Sequence, residues 1–173
     1  SLKCLTCHMR CLKIFMPWIL FAPFAQVMGQ TADDYFNAGR SKLKGQNYIG
    51  AIQDFAKCTE LSSGHFSAYC CRGAAKIQLK NFKEALQDLD TALQLNPKLV
   101  EALFNRGVVN TFLKDTIEAL EDFSRAIEVD STYLAAYINR GIIRFLGRDY
   151  ELAIEDCNKV IELNPSDTIA YDL

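Results

Sequence analysis
Two sets of residues in this 173-residue chain have types and spacings that could do chemistry. The first is Cys4-Leu5-Thr6-Cys7-His8, which fits the C-x-x-C-H pattern of c-type haem attachment. Two thiols one helical turn apart would take the vinyl groups, and the histidine would be an axial ligand. With Cys11 added, the same stretch offers four ligands of the kinds zinc takes. Its context argues against both. The motif precedes Arg10, Lys13 and an apolar run, no haem-packing domain follows, and Cys7 and His8 are adjacent. No cofactor and no metal are therefore expected. Nothing else forms a catalytic constellation. The only other histidine is His65, no glycine-rich phosphate loop occurs, and the carboxylates are spread at a regular period. The expectation is a protein that is not an enzyme. Cys58 and Cys157 read as small core hydrophobes, and Cys70 is the candidate for a reactive thiol.

The second set is charged. Aspartates stand at Asp54, Asp88, Asp122 and Asp156, and arginines at Arg72, Arg106 and Arg140, both at intervals of 34 residues. Ala38 occupies the place an arginine would hold at the start of the series. If each aspartate paired with the arginine before it, Asp54 would be left alone. Pairing each with the arginine after it removes that gap. This predicts three ion pairs between successive repeats: Asp54–Arg72, Asp88–Arg106 and Asp122–Arg140. An arginine fork suits the role because it can engage a carboxylate through two hydrogen bonds.

These charges ride on a repeat. Residues 32–65, 66–99, 100–133 and 134–167 align without insertion or deletion. A fixed period of this length marks a helical repeat array. The fourth place of each unit holds Tyr35, Tyr69, Leu103 and Tyr137, and the eighth holds Gly39, Gly73, Gly107 and Gly141. The twentieth holds Ala51, Ala85, Ala119 and Ala153, and the twenty-fourth Phe55, Leu89, Phe123 and Cys157. The small residues let two helices approach closely, and the large ones fill the space beside them. Pro97 and Pro165 end their helices. Ser63 and Ser131 stand there in the other units, which leaves those junctions to turn chemistry. First helices are expected near 33–45, 66–79, 100–113 and 134–147, and second helices near 48–61, 82–95, 116–129 and 150–163. A tight turn is expected at Gly147-Arg148-Asp149, and a further helix starts within 168–173.

Over residues 32–167 this pattern resembles the tetratricopeptide repeat family, W-x2-L-G-x2-Y, then A-x3-F, then P. There are departures. The family's aromatic three places after the glycine is Lys42, Lys76, Asn110 and Arg144, and its leucine before the glycine is Ala38, Arg72, Arg106 and Arg140. The resemblance implies an all-α, right-handed superhelical solenoid of antiparallel helix pairs, with the first helices lining a concave groove. It places Phe36, Asn37 and Arg40 on that face in unit one and Cys70 in unit two. Phe104, Asn105 and Val108 follow in unit three, then Ile138, Asn139 and Ile142 in unit four. In the family the recurring asparagine often bonds the backbone of a bound peptide, since an amide offers both donor and acceptor. The apolar row between the asparagines reads as a partner site, with packing between neighbouring helices as the alternative. The family's clamp for acidic carboxyl-terminal peptides is largely absent. Read over units one to three, its lysine place holds Phe36 and its asparagine place Arg40; over units two to four, its lysine places hold Cys70 and Ala135.

Half of the residues are hydrophobic, enough for one domain with a continuous core. The net charge is -2; the first 29 residues hold three positive and no negative charges, so the rest carries -5. That balance offers no footprint for nucleic acid. Residues 1–31 lie outside the repeat. From Met9 they read as an export signal, with Arg10 and Lys13, then the apolar run 14–24, then Val27-Met28-Gly29 at the cleavage site. Cleaved, it makes the chain exported, periplasmic or extracellular. Uncleaved, it anchors the chain and is its only membrane contact. The leading function is a scaffold that binds a peptide or helix of a protein partner in the groove. The alternatives are a structural or targeting segment of a longer solenoid or multidomain protein, and a haem or redox role through Cys4, Cys7 and His8. The last full helix is expected to be uncapped and open to self-association.

Overall fold
The computed structural model describes residues 29–165. The C-x-x-C-H motif, the export-type segment up to Met28 and the helix expected from 168 lie outside the described residues. From Ala32 the chain forms a compact unit of its own. Its helices are α1 Ala32–Lys44, α2 Tyr48–Leu61, α3 Phe66–Gln78, α4 Phe82–Leu95, α5 Val100–Leu113, α6 Thr116–Val129, α7 Leu134–Leu146 and α8 Tyr150–Leu163. Every bound falls within one residue of its expected place, and no strand occurs among the described residues. No described helix is long and apolar enough to cross a membrane.

The pairs α1–α2, α3–α4, α5–α6 and α7–α8 close on the repeated glycine. A Cβ at Gly39 would sit 2.7 Å from the Phe55 ring, one at Gly107 2.8 Å from the Phe123 ring, and one at Gly73 3.0 Å from the Leu89 side chain. Only glycine leaves room for these side chains to lie against the facing backbone. The fourth pair is looser at this point. Cys157 stands where the ring would be, and a Cβ at Gly141 would meet nothing nearer than Asp156 Cβ at 3.4 Å. The alanines of the second helices, Ala51, Ala85, Ala119 and Ala153, are buried against the same seam.

Each turn within a unit is made by a left-handed residue that is not glycine: Gln46, Lys80, Lys114 and Arg148, with φ between 59° and 69°. The following N–H bonds back five places, Asn47 to Lys42, Asn81 to Lys76, Asp115 to Asn110 and Asp149 to Arg144, at 2.8–3.0 Å. That satisfies a carbonyl at the end of the first helix. Glycine usually fills the left-handed place, yet Gly147 precedes it at φ -77°. At 147–149 the turn therefore rests on Arg148. Between units, Asn96 Oδ1 accepts from Lys98 N at 3.2 Å beside Pro97. Where Ser131 replaces proline, Asp130 Oδ1 accepts from the Thr132 N–H at 2.9 Å and its hydroxyl at 2.7 Å. These bonds hold the Asp130 carboxyl below its ordinary value.

The units stack unevenly. First helices touch one another across units, α1 to α3, α3 to α5 and α5 to α7, while no two second helices pack as closely. The stack thus bends toward the first helices, which line its inner face. The main core runs from α3 to α7 around Leu89, Leu103, Val109 and Phe123, all fully buried.

Gly107→Ala should destabilise the chain by about 1–3 kcal/mol, because the Phe123 ring must move. Gly141→Ala should be neutral or stabilising by about 0.5–1 kcal/mol, since alanine suits a helix interior better. Urea denaturation of the two variants side by side checks the contrast.

Candidate functional site
One aspartate of each unit is buried between its helix pair: Asp54, Asp88, Asp122 and Asp156, none more than 7% exposed. The expected pairing between units does not form. Arg72 Nε and Nη2 donate to Asp88 of the same unit at 2.9 and 2.6 Å. Arg106 donates in the same way to Asp122 at 3.0 and 2.7 Å, and Arg140 to Asp156 at 3.1 and 2.7 Å. The pairs Asp54–Arg72, Asp88–Arg106 and Asp122–Arg140 are therefore replaced by Arg72–Asp88, Arg106–Asp122 and Arg140–Asp156.

The reason lies at the place of the missing family aromatic. Lys42 Nζ stands 2.6 Å from Asp54, so unit one needs no arginine. Lys76 reaches Asp88 at 2.9 Å, Asn110 donates to Asp122 at 3.2 Å, and Arg144 donates to Asp156 at 2.7 Å. These residues follow the arginine place by four, one turn along the same helix face. That spacing was the readable signal for pairing within a unit. The arginines still cross between units, with different acceptors. Nη1 of Arg72 donates to Thr59 Oγ1 at 3.1 Å, that of Arg106 to Asp90 Oδ1 at 2.8 Å, and that of Arg140 to Ser124 Oγ at 3.0 Å. Hydrogen bonds to Asp88 and Asp122 raise the Arg72 and Arg106 guanidiniums above their ordinary value.

The inner face carries the other candidates. Phe36 lies 4.5 Å from the His65 ring and 6.0 Å from that of Phe55, with the Arg40 guanidinium 5.7 Å above it. Asn37 and Arg40 are exposed. Phe104 rests between Phe123 at 5.7 Å and Tyr133 at 5.4 Å. Phe104, Val108, Ile138 and Ile142 are all half-buried. Partner site and packing are thus not alternatives here: each side chain is packed on one flank and open on the other. Asn105 Nδ2 points at Cys70 Sγ at 4.0 Å, and Asn139 Nδ2 donates to Ala135 O at 2.8 Å. The two inner amides are held in place from within.

Cys70 does not belong to this accessible face. It is 5% exposed and packs in the main core. Burial, with Cys71 and Glu101 beside it, pushes its thiol up to about 12. No signal in the sequence warned of this, because the same place holds Phe36, Phe104 and Ile138 in the other units, all only half-buried.

The tetratricopeptide repeat family model matches residues 66–99, 100–133 and 134–167. The chain belongs to the tetratricopeptide repeat family. Residues 32–65, outside those matches, form the same helix pair. No curated protein sequence matches the chain significantly. Solved structures share the fold. A crystal structure of MamA is 24% identical, with 83% of this chain and 79% of that one covered and a TM-score of 0.75. YrrB, a tetratricopeptide repeat protein described as having an unusual peptide-binding site, is 26% identical, with 82% and 73% covered and a TM-score of 0.71. The first repeat domain of Spaghetti, solved with the HSP90 peptide SRMEEVD, is 25% identical, with 68% and 93% covered and a TM-score of 0.66. Against this family, the arginine network occupies places where the pattern has leucine and an aromatic.

Arg106→Ala should cost about 3 kcal/mol, because it removes the cationic partner of a buried carboxyl and leaves Asn110 as the side-chain donor beside Asp122. The Asp90 side chain is 44% exposed, against 2% for Asp122, so Asp90→Ala should cost no more than about 1 kcal/mol. Double-mutant cycles by chemical denaturation should give a coupling for Arg106–Asp122 well above that for Arg106–Asp90. For Cys70, a thiol raised in the folded chain favours folding less and less as pH climbs from the ordinary thiol value toward about 12. In the native chain at pH 8, iodoacetamide should leave Cys70 unmodified while an unfolded chain reacts there fully, as peptide mass spectrometry would show.

Proposed function
We propose that this chain is a protein-interaction scaffold that holds an extended peptide or a helix of a protein partner along the inner face of α1, α3, α5 and α7. The observation that carries this reading is the half-buried row Phe104, Val108, Ile138 and Ile142 flanked by Asn105 and Asn139. An apolar row bordered by amides is suited to a chain that brings both side chains and backbone N–H and C=O groups. Asn37 and the Phe36–Arg40 pair extend the surface into unit one. The peptide-bound state of the Spaghetti domain and the peptide-binding site of YrrB support this use of the fold. The occupant is not an acidic carboxyl-terminal tail, since Phe36 and Arg40 take the clamp's lysine and asparagine places.

The combined Asn37→Ala, Asn105→Ala, Asn139→Ala chain should keep its helical circular dichroism. It should lose most of the partners that the unaltered chain captures in a side-by-side pull-down. Each lost amide–backbone bond weakens binding by about 1 kcal/mol. Equal recovery by the two chains would remove the inner face as the binding surface.

A further inference from the structure
The second helices carry an apolar row that the next unit covers. In α4 it includes Leu86, Leu89 and Leu93, and in α6 Leu120, Phe123 and Ile127, all buried or half-buried in the main core. Phe82 extends the row of α4 and stacks on Phe112 of the next unit with ring centroids 4.7 Å apart. On α8 the same places hold Ile154, Cys157 and Ile161, with Tyr150 extending the row. Here Ile154 is 59% exposed and Tyr150 51% exposed, while Cys157 and Ile161 are half-buried. The steps from Tyr150 to Ile161 are four, three and four residues. Such a row stays within about 60° of the helix circumference and runs about 16 Å, or three turns. One flank of it, Ala153, Asp156 and Val160, is buried. The other flank is open and begins with Asn158 and Glu151, both exposed.

An apolar row grouped in this way marks a surface that another molecule covers. The earlier junctions show which polar group completes it. Arg106 Nη1 crosses to Asp90 of α4 at 2.8 Å, and Arg140 Nη1 to Ser124 of α6 at 3.0 Å. Asn158 is the residue of α8 at that place, and its amide oxygen is an acceptor of the same kind. Around it α8 exposes Glu151, Glu155 and Glu162, with Lys159 as the only cation of the helix outside its seam. We propose that this face of α8 docks a basic amphipathic helix of a protein partner, with apolar side chains on the Tyr150–Ile161 row, an arginine on Asn158 Oδ1 and a further cation against Glu151. Charge selects this occupant. A second copy of the chain would offer α1, which holds Ala38 at the arginine place and Asp33 and Asp34 in its first turn. Residues 166–173 contain two aspartates and no lysine or arginine. Either would bring acid against acid, a juxtaposition that works against docking. The site lies on a second helix and shares no residue with the inner face.

The probe is a fluorescein-labelled, alanine-based helical peptide of about four turns, with leucines along one face and arginines on the flank beside them. Fluorescence anisotropy with the full chain should show saturable binding that weakens as salt is added. Replacing the arginines by glutamates should weaken it about ten-fold or more, as should Asn158→Lys in the chain. Ile154→Ser should do the same, with circular dichroism confirming the fold; Ile154 is exposed enough to be replaced without opening the core. The unlabelled peptide should slow alkylation of Cys157 by N-ethylmaleimide about ten-fold, by occlusion of the row, and leave the half-buried Cys71 unchanged, as peptide mass spectrometry would show. The Asn37→Ala, Asn105→Ala, Asn139→Ala chain should bind the probe as the unaltered chain does, which separates this site from the inner face. The proposal is overturned by an absence of saturable binding, by equal binding of the arginine and glutamate peptides, or by loss confined to the asparagine variant. A dimer in sedimentation that Ile154→Ser dissociates would assign the face to a second copy. Cys157 resisting alkylation in the chain alone at every concentration would assign it to the chain's own residues. Either result overturns the proposal as well.

Discussion
A carboxylate between two packed helices stays ionised only where cationic donors meet it. Four aspartates impose that condition here, one in each helix pair. The facing first helix answers with a single lysine in unit one and with arginine plus lysine in unit two. Units three and four use arginine plus asparagine and two arginines. A lysine closes one pair and goes no further. An arginine has a third nitrogen to spare, and each one spends it on the second helix of the preceding unit. The same side chain therefore fastens a pair and couples it to its neighbour. Coupling between units is what gives a repeat array its cooperativity.

This arrangement sorts the chemistry of the first helices by face. The places that look toward the second helices hold glycine, arginine and the second cation or amide. The places that look inward hold asparagine, phenylalanine and aliphatic residues. Charge is thereby drawn into the seam, and the inner face is left with amides and apolar surface, the composition suited to a visiting backbone with side chains. Arg40 is one exception, because unit one uses Lys42 for its aspartate and leaves Arg40 exposed over Phe36, and Glu101 beside Cys70 is another. The cysteines follow the same sorting. Cys70 sits at an inward place but is sealed between α3 and α5, with Asn105 drawn onto its sulfur.

The helix pairs were legible in the sequence because a repeat states its spacing several times over. Glycine facing Phe55, Leu89 or Phe123 is a local rule of close approach, and one copy predicts the next. The charge pairing was not legible from the arginines alone. An arginine lies 16 residues before the aspartate of its own unit and 18 after that of the unit before. Translation by one period preserves both choices, so periodicity cannot rank them. Lys42, Lys76, Asn110 and Arg144 could have ranked them, as residues one turn beyond the arginine place on the same face.

The sequence by itself determined the period, the eight helices among the described residues and the face on which most side chains would stand, since these follow from spacing along one chain. Only the tertiary structure decided which helix each arginine reaches, that Cys70 is closed off, and that the four turns rest on non-glycine residues at positive φ. For the arginines and Cys70 the physical reason is the same. Those outcomes depend on distances across the gap between helices, where an antiparallel partner and a stacked neighbour compete for the same side chain, and no interval counted along the sequence measures that gap.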